Sequence, residues 1–184
     1  FHFKKNFFGR FSKMMLNIAD RILCVSLPSA REVQELGIQE SKIGRCAYWI
    51  DLNTFKPTDK SVAKKQLNWP NSFSVLFIGR LIEEKGIKLL LKAMPGIPQM
   101  INVYIIGDGP LQEDIEQAAK KYTNLHFLGK VDNTVTPIYY NAADVVVVPS
   151  YEETLGRVNM EALACNTPVI ATDAGGIREV VNEN

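Results

Sequence analysis

Asn141–Glu161 reads NAADVVVVPSYEETLGRVNME. Its four consecutive valines, Val145–Val148, predict a strand over Asp144–Pro149 covered on both faces, because a half-exposed strand would alternate apolar with polar residues. Pro149 cannot continue the ladder. Beyond it, a helix is expected over Gly156–Ala164, with Glu153 just before it and Glu161 inside it. A buried strand running into a helix is the building unit of an α/β sheet.

The same alternation extends in both directions. Strands are expected at Phe73–Gly79, Val103–Gly107, Leu125–Leu128 and Pro168–Thr172. Helices are expected at Gly86–Met94, Leu111–Tyr122 and Thr136–Ala142, and another begins at Ile177–Val181. The fold class is therefore α/β, a doubly wound parallel sheet whose ligand lies outside the carboxyl ends of the strands. Upstream, Ile22–Ser26 and Ile43–Tyr48 read as short strands flanking a helix at Pro28–Leu36. Ile50–Lys60, IDLNTFKPTDK, reads as a linker.

The 184 residues suit one domain plus part of a second. With 46% hydrophobic and 22% charged residues, the chain is neither disordered nor collagen-like. Its net charge of +1 excludes the whole-chain basic field of a nonspecific nucleic-acid binder. Cys24, Cys46 and Cys165 have neither metal-ligand spacing nor the even count of a disulfide framework, which fits a reducing cytosol. No apolar run is long enough to span a bilayer. The start at Phe1 and the stop at Asn184, immediately after the apolar-periodic stretch Gly176–Val181, suggest a piece of a longer protein. Residues 1–21 carry Lys4, Lys5, Arg10, Lys13 and Arg21 against Asp20, and Phe7, Phe8, Phe11, Met14, Met15 and Ile18 recur at helical spacing. This is a basic amphipathic helix, suited either to packing on a neighbouring element or to an anionic membrane surface.

The loops after the strands hold the candidate chemistry. Gly79–Gly86 carries Arg80 and Lys85, which suit a diphosphate or else pair with Glu83 and Glu84. Gly107-Asp108-Gly109-Pro110 is a tight turn, built for ligand approach or for structure alone. Gln112 stands where a dinucleotide fingerprint needs its third glycine, which argues against a nicotinamide-dependent oxidoreductase. At Thr154–Arg157 the helix amides form an anion-binding N-terminus, and Gly156 leaves room for a phosphate or sugar. Glu153 and Glu161, about 12 Å apart along a helix, are too distant for a shared-proton dyad. They can hold the two hydroxyl-bearing ends of a long ligand, or serve as a helix-dipole acid and an ordinary helix residue. Asp173-Ala174-Gly175-Gly176 is a turn or a further close backbone approach.

Taken in order, FIGRLIEEKG (77–86), VYIIGDGP (103–110), NAADVVVVPS (141–150), the pair Glu153/Glu161, EALACNTPVIAT (161–172) and DAGGIREVV (173–181) resemble the retaining nucleotide-sugar glycosyltransferases of family four, glycosyl transferases group 1. Upstream, ADRILCVS and WIDLNTFKP look like the end of that family's acceptor domain and the interdomain strand. The resemblance implies one nearly complete Rossmann-like half of a two-domain GT-B architecture. Residues 1–58 would be the acceptor-domain remnant and linker, and 59–184 the donor domain, cut at its C-terminus. It further implies transfer of a sugar from a nucleoside diphosphate to a glycan or lipid-linked hydroxyl, with retention, for polysaccharide biosynthesis.

By resemblance, Arg80, Lys85 and Glu153 are catalytic. Arg80 and Lys85 bind the diphosphate, Glu153 contacts sugar hydroxyls, and Glu161 holds the ribose. Gly79, Thr154, Leu155, Gly156 and Arg157 add donor contacts, largely through backbone amides, with the base near Lys130–Val131. Neither a metal nor a cofactor is implied, nor nucleic acid as a partner. The setting is cytoplasmic, with peripheral contact at the inner membrane face. A catalytically silent nucleotide-sugar-binding module is the alternative. Thr154-Leu155-Gly156 departs from the family's usual Gly-Phe-Gly, and Asn166 replaces its usual glycine.

Overall fold

The computed structural model describes residues 7–46 and 48–181. The first unit contains α1 (Phe7–Ile18), β1 (Ile22–Cys24), α2 (Leu27–Glu35) and β2 (Ile43–Arg45), with β1 and β2 paired in parallel. Then come α3 (Lys60–Gln66), β3 (Ser74–Ile78), α4 (Ile87–Ala93), β4 (Asn102–Ile106), α5 (Gln112–Lys121), β5 (Leu125–Gly129), α6 (Thr136–Ala142), β6 (Val145–Val148), α7 (Arg157–Ala164) and β7 (Val169–Ala171). β3 to β7 form one all-parallel sheet in the order β5-β4-β3-β6-β7. This is the doubly wound α/β arrangement expected from the sequence.

The strands are continuously apolar because each face has its own core. Val75, Phe77, Val103, Ile105 and Val145 pack with Ile87, Leu90 and Ile115 of α4 and α5. Their neighbours Leu76, Tyr104, Ile106, Val146 and Val148 pack instead with Ala63, Tyr140 and Ala162 of α3, α6 and α7. This two-residue alternation buries both faces. Each fully buried Val, Ile or Leu contributes about 1.5–3 kcal/mol of transfer free energy.

The strand order fixes the ligand crevice. From β3 the chain winds outward through β4 to β5, then returns across the sheet to β6. The loops after β3 and β6 diverge to opposite faces, leaving a gap between them at the carboxyl edge. The Arg80 and Glu153 loops are these two.

Several local expectations change. The first strand stops at Cys24 because Ser26 leaves it to cap α2: its Oγ accepts from Ser29 N at 3.3 Å, while Ser29 Oγ accepts from Ser26 N at 3.1 Å. This reciprocal box satisfies two donors. The second strand ends at Arg45, and the helix expected at Ile177–Val181 is only a 3₁₀ turn, Ile177–Glu179. α3 is an element that the sequence pattern does not announce, and it begins on the last residue of the expected linker. Asp59 caps it, Oδ1 accepting from Val62 N at 3.0 Å. Asn141 ties the linker down, Oδ1 accepting from Thr58 N at 2.6 Å and Nδ2 donating to Lys56 O at 3.1 Å.

α1 matches the expected helix in part. Leu16 packs on Cys24, Val33 and Ile38, whereas Phe11, Met14, Met15 and Ile18 are exposed. These four side chains of its expected apolar face therefore leave half or more of their surface open. Lys4 and Lys5 of that reading lie outside them, as do residues 182–184. No described helix is long and apolar enough to cross a membrane.

Candidate functional site

A cleft of about 680 Å³ opens at the gap between β3 and β6. Arg80, Lys85, Glu153 and Thr154 line it, so the structure brings these predicted residues together. Gly79, Val131, Leu155, Gly156, Arg157 and Glu161 are not on its wall. The opposite side is built by Ser26, Pro28, Ser29 and Glu32 at the start of α2. Sequence reasoning missed this wall; the one signal was the Ser-Leu-Pro-Ser start of a helix.

The cleft's two lips are stitched by backbone. Glu84 O accepts from Tyr151 N at 2.8 Å, joining the β3 loop to the β6 loop. Lys85 Nζ then reaches Glu153 Oε2 at 2.6 Å. The side chains are 24% and 14% exposed, so this pair is screened less than a surface pair. Glu83 pairs instead with Lys88. Arg80 is exposed and has no carboxylate partner among the described residues. The sequence alternative in which Arg80 and Lys85 are neutralised by Glu83 and Glu84 is therefore not what forms.

Glu153 is held from behind as well. Gly176 N donates to Glu153 O at 3.2 Å, and Thr154 N donates to its Oε1, also at 3.2 Å. A Cβ on Gly175, whose φ is +55°, would stand 1.7 Å from Glu153 O. Asp173–Gly176 is thus a close backbone approach, made to the Glu153 loop. The turn at 107–109 is structural too: Cβ atoms on Gly107 and Gly109 would collide with Gly79 O and Leu81 O.

α7 starts where predicted. Gly156, at φ +79°, is its N-cap, and the amides of Leu155, Gly156 and Arg157 have no acceptor among the described residues. Three free N–H groups and the helix dipole favour an anion there. Glu161 sits one turn in and is 12% exposed. Its Oε1 takes Arg157 Nε at 2.9 Å, and its Oε2 accepts from Tyr140 Oη at 2.7 Å. Burial first, and the Glu161 charge second, push the Tyr140 phenol well above its ordinary range. It stays protonated and donates. The same two causes raise the buried Cys165 thiol to about 11.

Val131 is half-buried against the β6 face of the core, beside the exposed Lys130–Asp108 pair at 3.1 Å. Glu179 ties the first unit to this edge: it accepts from Leu27 N at 2.6 Å and pairs with Arg45. Among the described residues no three His, Cys, Asp or Glu cluster as metal ligands do.

The chain is similar in sequence and fold to known proteins. The chain is 31% identical to D-inositol 3-phosphate glycosyltransferase 2 of Catenulispora acidiphila over 91% of its own length and 43% of that protein's. It is 31% identical to a putative teichuronic acid biosynthesis glycosyltransferase of Bacillus subtilis over 100% of this chain and 46% of that one. The chain thus spans less than half the length of these curated relatives. Among solved structures, Anabaena HepE in complex with UDP and glucose superposes with a TM-score of 0.85 at 26% identity, covering 100% of this chain and 52% of HepE. Sucrose-phosphate synthase of Thermosynechococcus elongatus gives 0.83 at 31% identity over 94% and 45%. The sheet is accordingly the Rossmann-like half of a GT-B architecture. Residues 59–184 match the family described as glycosyl transferases group 1, and the chain belongs to that family.

Proposed function

We propose that this chain carries the donor site of a transferase moving a sugar from a nucleoside diphosphate to a hydroxyl acceptor, with retention of configuration. The observation that carries the reading is the meeting of Arg80, Lys85 and Glu153 in one cleft beside the free α7 amides. Arg80 supplies an unneutralised guanidinium fork and Lys85 a mobile ammonium, so the diphosphate charge is met by the protein without a metal. The α7 amides take the remaining phosphate or sugar oxygens. Glu153 accepts from sugar hydroxyls. Glu161, oriented by Arg157 and Tyr140, accepts from the ribose.

The first unit would be the end of the acceptor-side domain with its linker, residues 1–58, and 59–184 the donor domain. The acceptor is a glycan or lipid-linked hydroxyl entering past the α2 wall, from the cytoplasm and at a membrane face. UDP and glucose bound to HepE support the donor class, as does that protein's likeness over this whole chain.

The test is transfer by the complete protein from a panel of nucleotide sugars. Arg80→Ala and Glu161→Ala each remove most turnover; near-parental transfer by both variants would sink the assignment.

A further inference from the structure

Asn159 is the third residue of α7 and is 0% exposed. Neither its Nδ2 nor its Oδ1 has a hydrogen-bond partner among the described residues. A buried carboxamide without partners opposes folding, and native chains keep few of them. Leucine would occupy the same place without that cost. The location suggests why asparagine is there. A Cβ on Gly156 would stand 2.2 Å from Asn159 Nδ2 and 3.4 Å from Glu153 Cγ. The carboxamide therefore reaches back to the helix N-terminus and shares one small space with the Glu153 side chain. In this structure the Glu153 carboxylate is held by Lys85 at 2.6 Å and by Thr154 N at 3.2 Å.

We propose that Asn159 is a positioning residue for Glu153, taking over its carboxylate when Lys85 leaves; this rests on the reading above that Lys85 meets a diphosphate. A diphosphate carries more charge than one carboxylate and draws the ammonium onto itself. Glu153 then loses its cation. Asn159 Nδ2–H, across the space that a Gly156 Cβ would fill, donates in Lys85's place. Glu153 keeps its aim at the sugar. The asparagine is thus unpaired in one arrangement of the loop and paired in the other.

Lys85→Met removes the cation as a diphosphate would, with no ligand needed. In the crystal structure of that variant of the full chain, Glu153 is expected with a carboxylate oxygen about 3 Å from Asn159 Nδ2. A carboxylate still on Thr154 N with Asn159 unchanged overturns the proposal, as does a water satisfying Asn159 in parent and variant alike. Thermal unfolding gives a second readout. Asn159→Leu is expected to hold or raise Tm in the parent and to lower it in the Lys85→Met background. Equal shifts in both backgrounds overturn the proposal. Neither measurement involves sugar transfer. Failure of the donor reading would show separately, as a parent protein that binds no nucleoside diphosphate.

Discussion

Tyr140 Oη donates to Glu161 Oε2 across 2.7 Å, linking α6 to α7. A hydrogen bond to a charged acceptor contributes about 1.5–3 kcal/mol, and its loss leaves a largely buried carboxylate with Arg157 alone. Tyr140→Phe should therefore destabilise the fold by about 2 kcal/mol and weaken nucleoside diphosphate binding severalfold. Urea unfolding and calorimetric titration of the same sample check both. Unchanged affinity with lowered stability would make the tyrosine structural only.

Asp144 governs acid stability. Burial alone would raise its carboxyl, but hydrogen bonds from Lys60, Lys64 and Ser74 N outweigh burial and hold it below the usual range. A carboxyl depressed in the fold stabilises above its unfolded pKa of about 3.9. That stabilisation drains away as pH falls below this value. Lys64, with its side chain 6% exposed, is the partner most dependent on it, at 2.8 Å. Asp144→Asn should cost about 3–5 kcal/mol at pH 7 and flatten the stability curve below pH ~4. Denaturation measured across pH in both proteins tests this.

Asn166 sits at φ +59° after α7. Asn166→Gly should be neutral or stabilising, whereas Asn166→Val should cost about 1–3 kcal/mol through a β-branched residue in the left-handed region. A pair of thermal melts decides it. If valine is tolerated as well as glycine, the turn does not need this conformation.

Asn166 also marks the limit of what sequence alone conveyed. Its departure from the family's glycine was visible, and the positive φ explains why asparagine, the next most tolerant residue, can replace it. The sheet was legible because two-sided burial leaves uninterrupted runs such as Val145–Val148. Arg80, Lys85 and Glu153 were legible because each follows a strand. Partners across the fold were not: nothing local announces that Tyr140 reaches Glu161, or that Glu179 takes Leu27 N. α3 was not legible because its seven residues are mostly polar and Pro57 precedes them closely. Asn159 gave no signal, since at that spacing it reads as a polar face of the helix.

Gly175 permits the Glu153 loop to lie where it does. Gly175→Ala would force its Cβ against Glu153 O, at 1.7 Å in the present geometry. The loop must move, separating Glu153 from Lys85. Donor binding should fall at least tenfold while the five-stranded sheet, none of whose strands includes this turn, keeps the fold intact by circular dichroism. Parental binding would mean that the Glu153 position is not needed.

The central claim is that Arg80, Lys85 and the α7 amides form a site for the diphosphate of a nucleotide sugar. Calorimetric titration of the full chain and its Arg80→Ala variant with UDP, GDP and ADP tests it most directly. The account predicts one-to-one binding of at least one diphosphate by the parent, and a loss of about 10–100-fold in affinity when this charged donor is removed. Parental affinity in Arg80→Ala, or no binding of any of the three diphosphates by the parent, would contradict it.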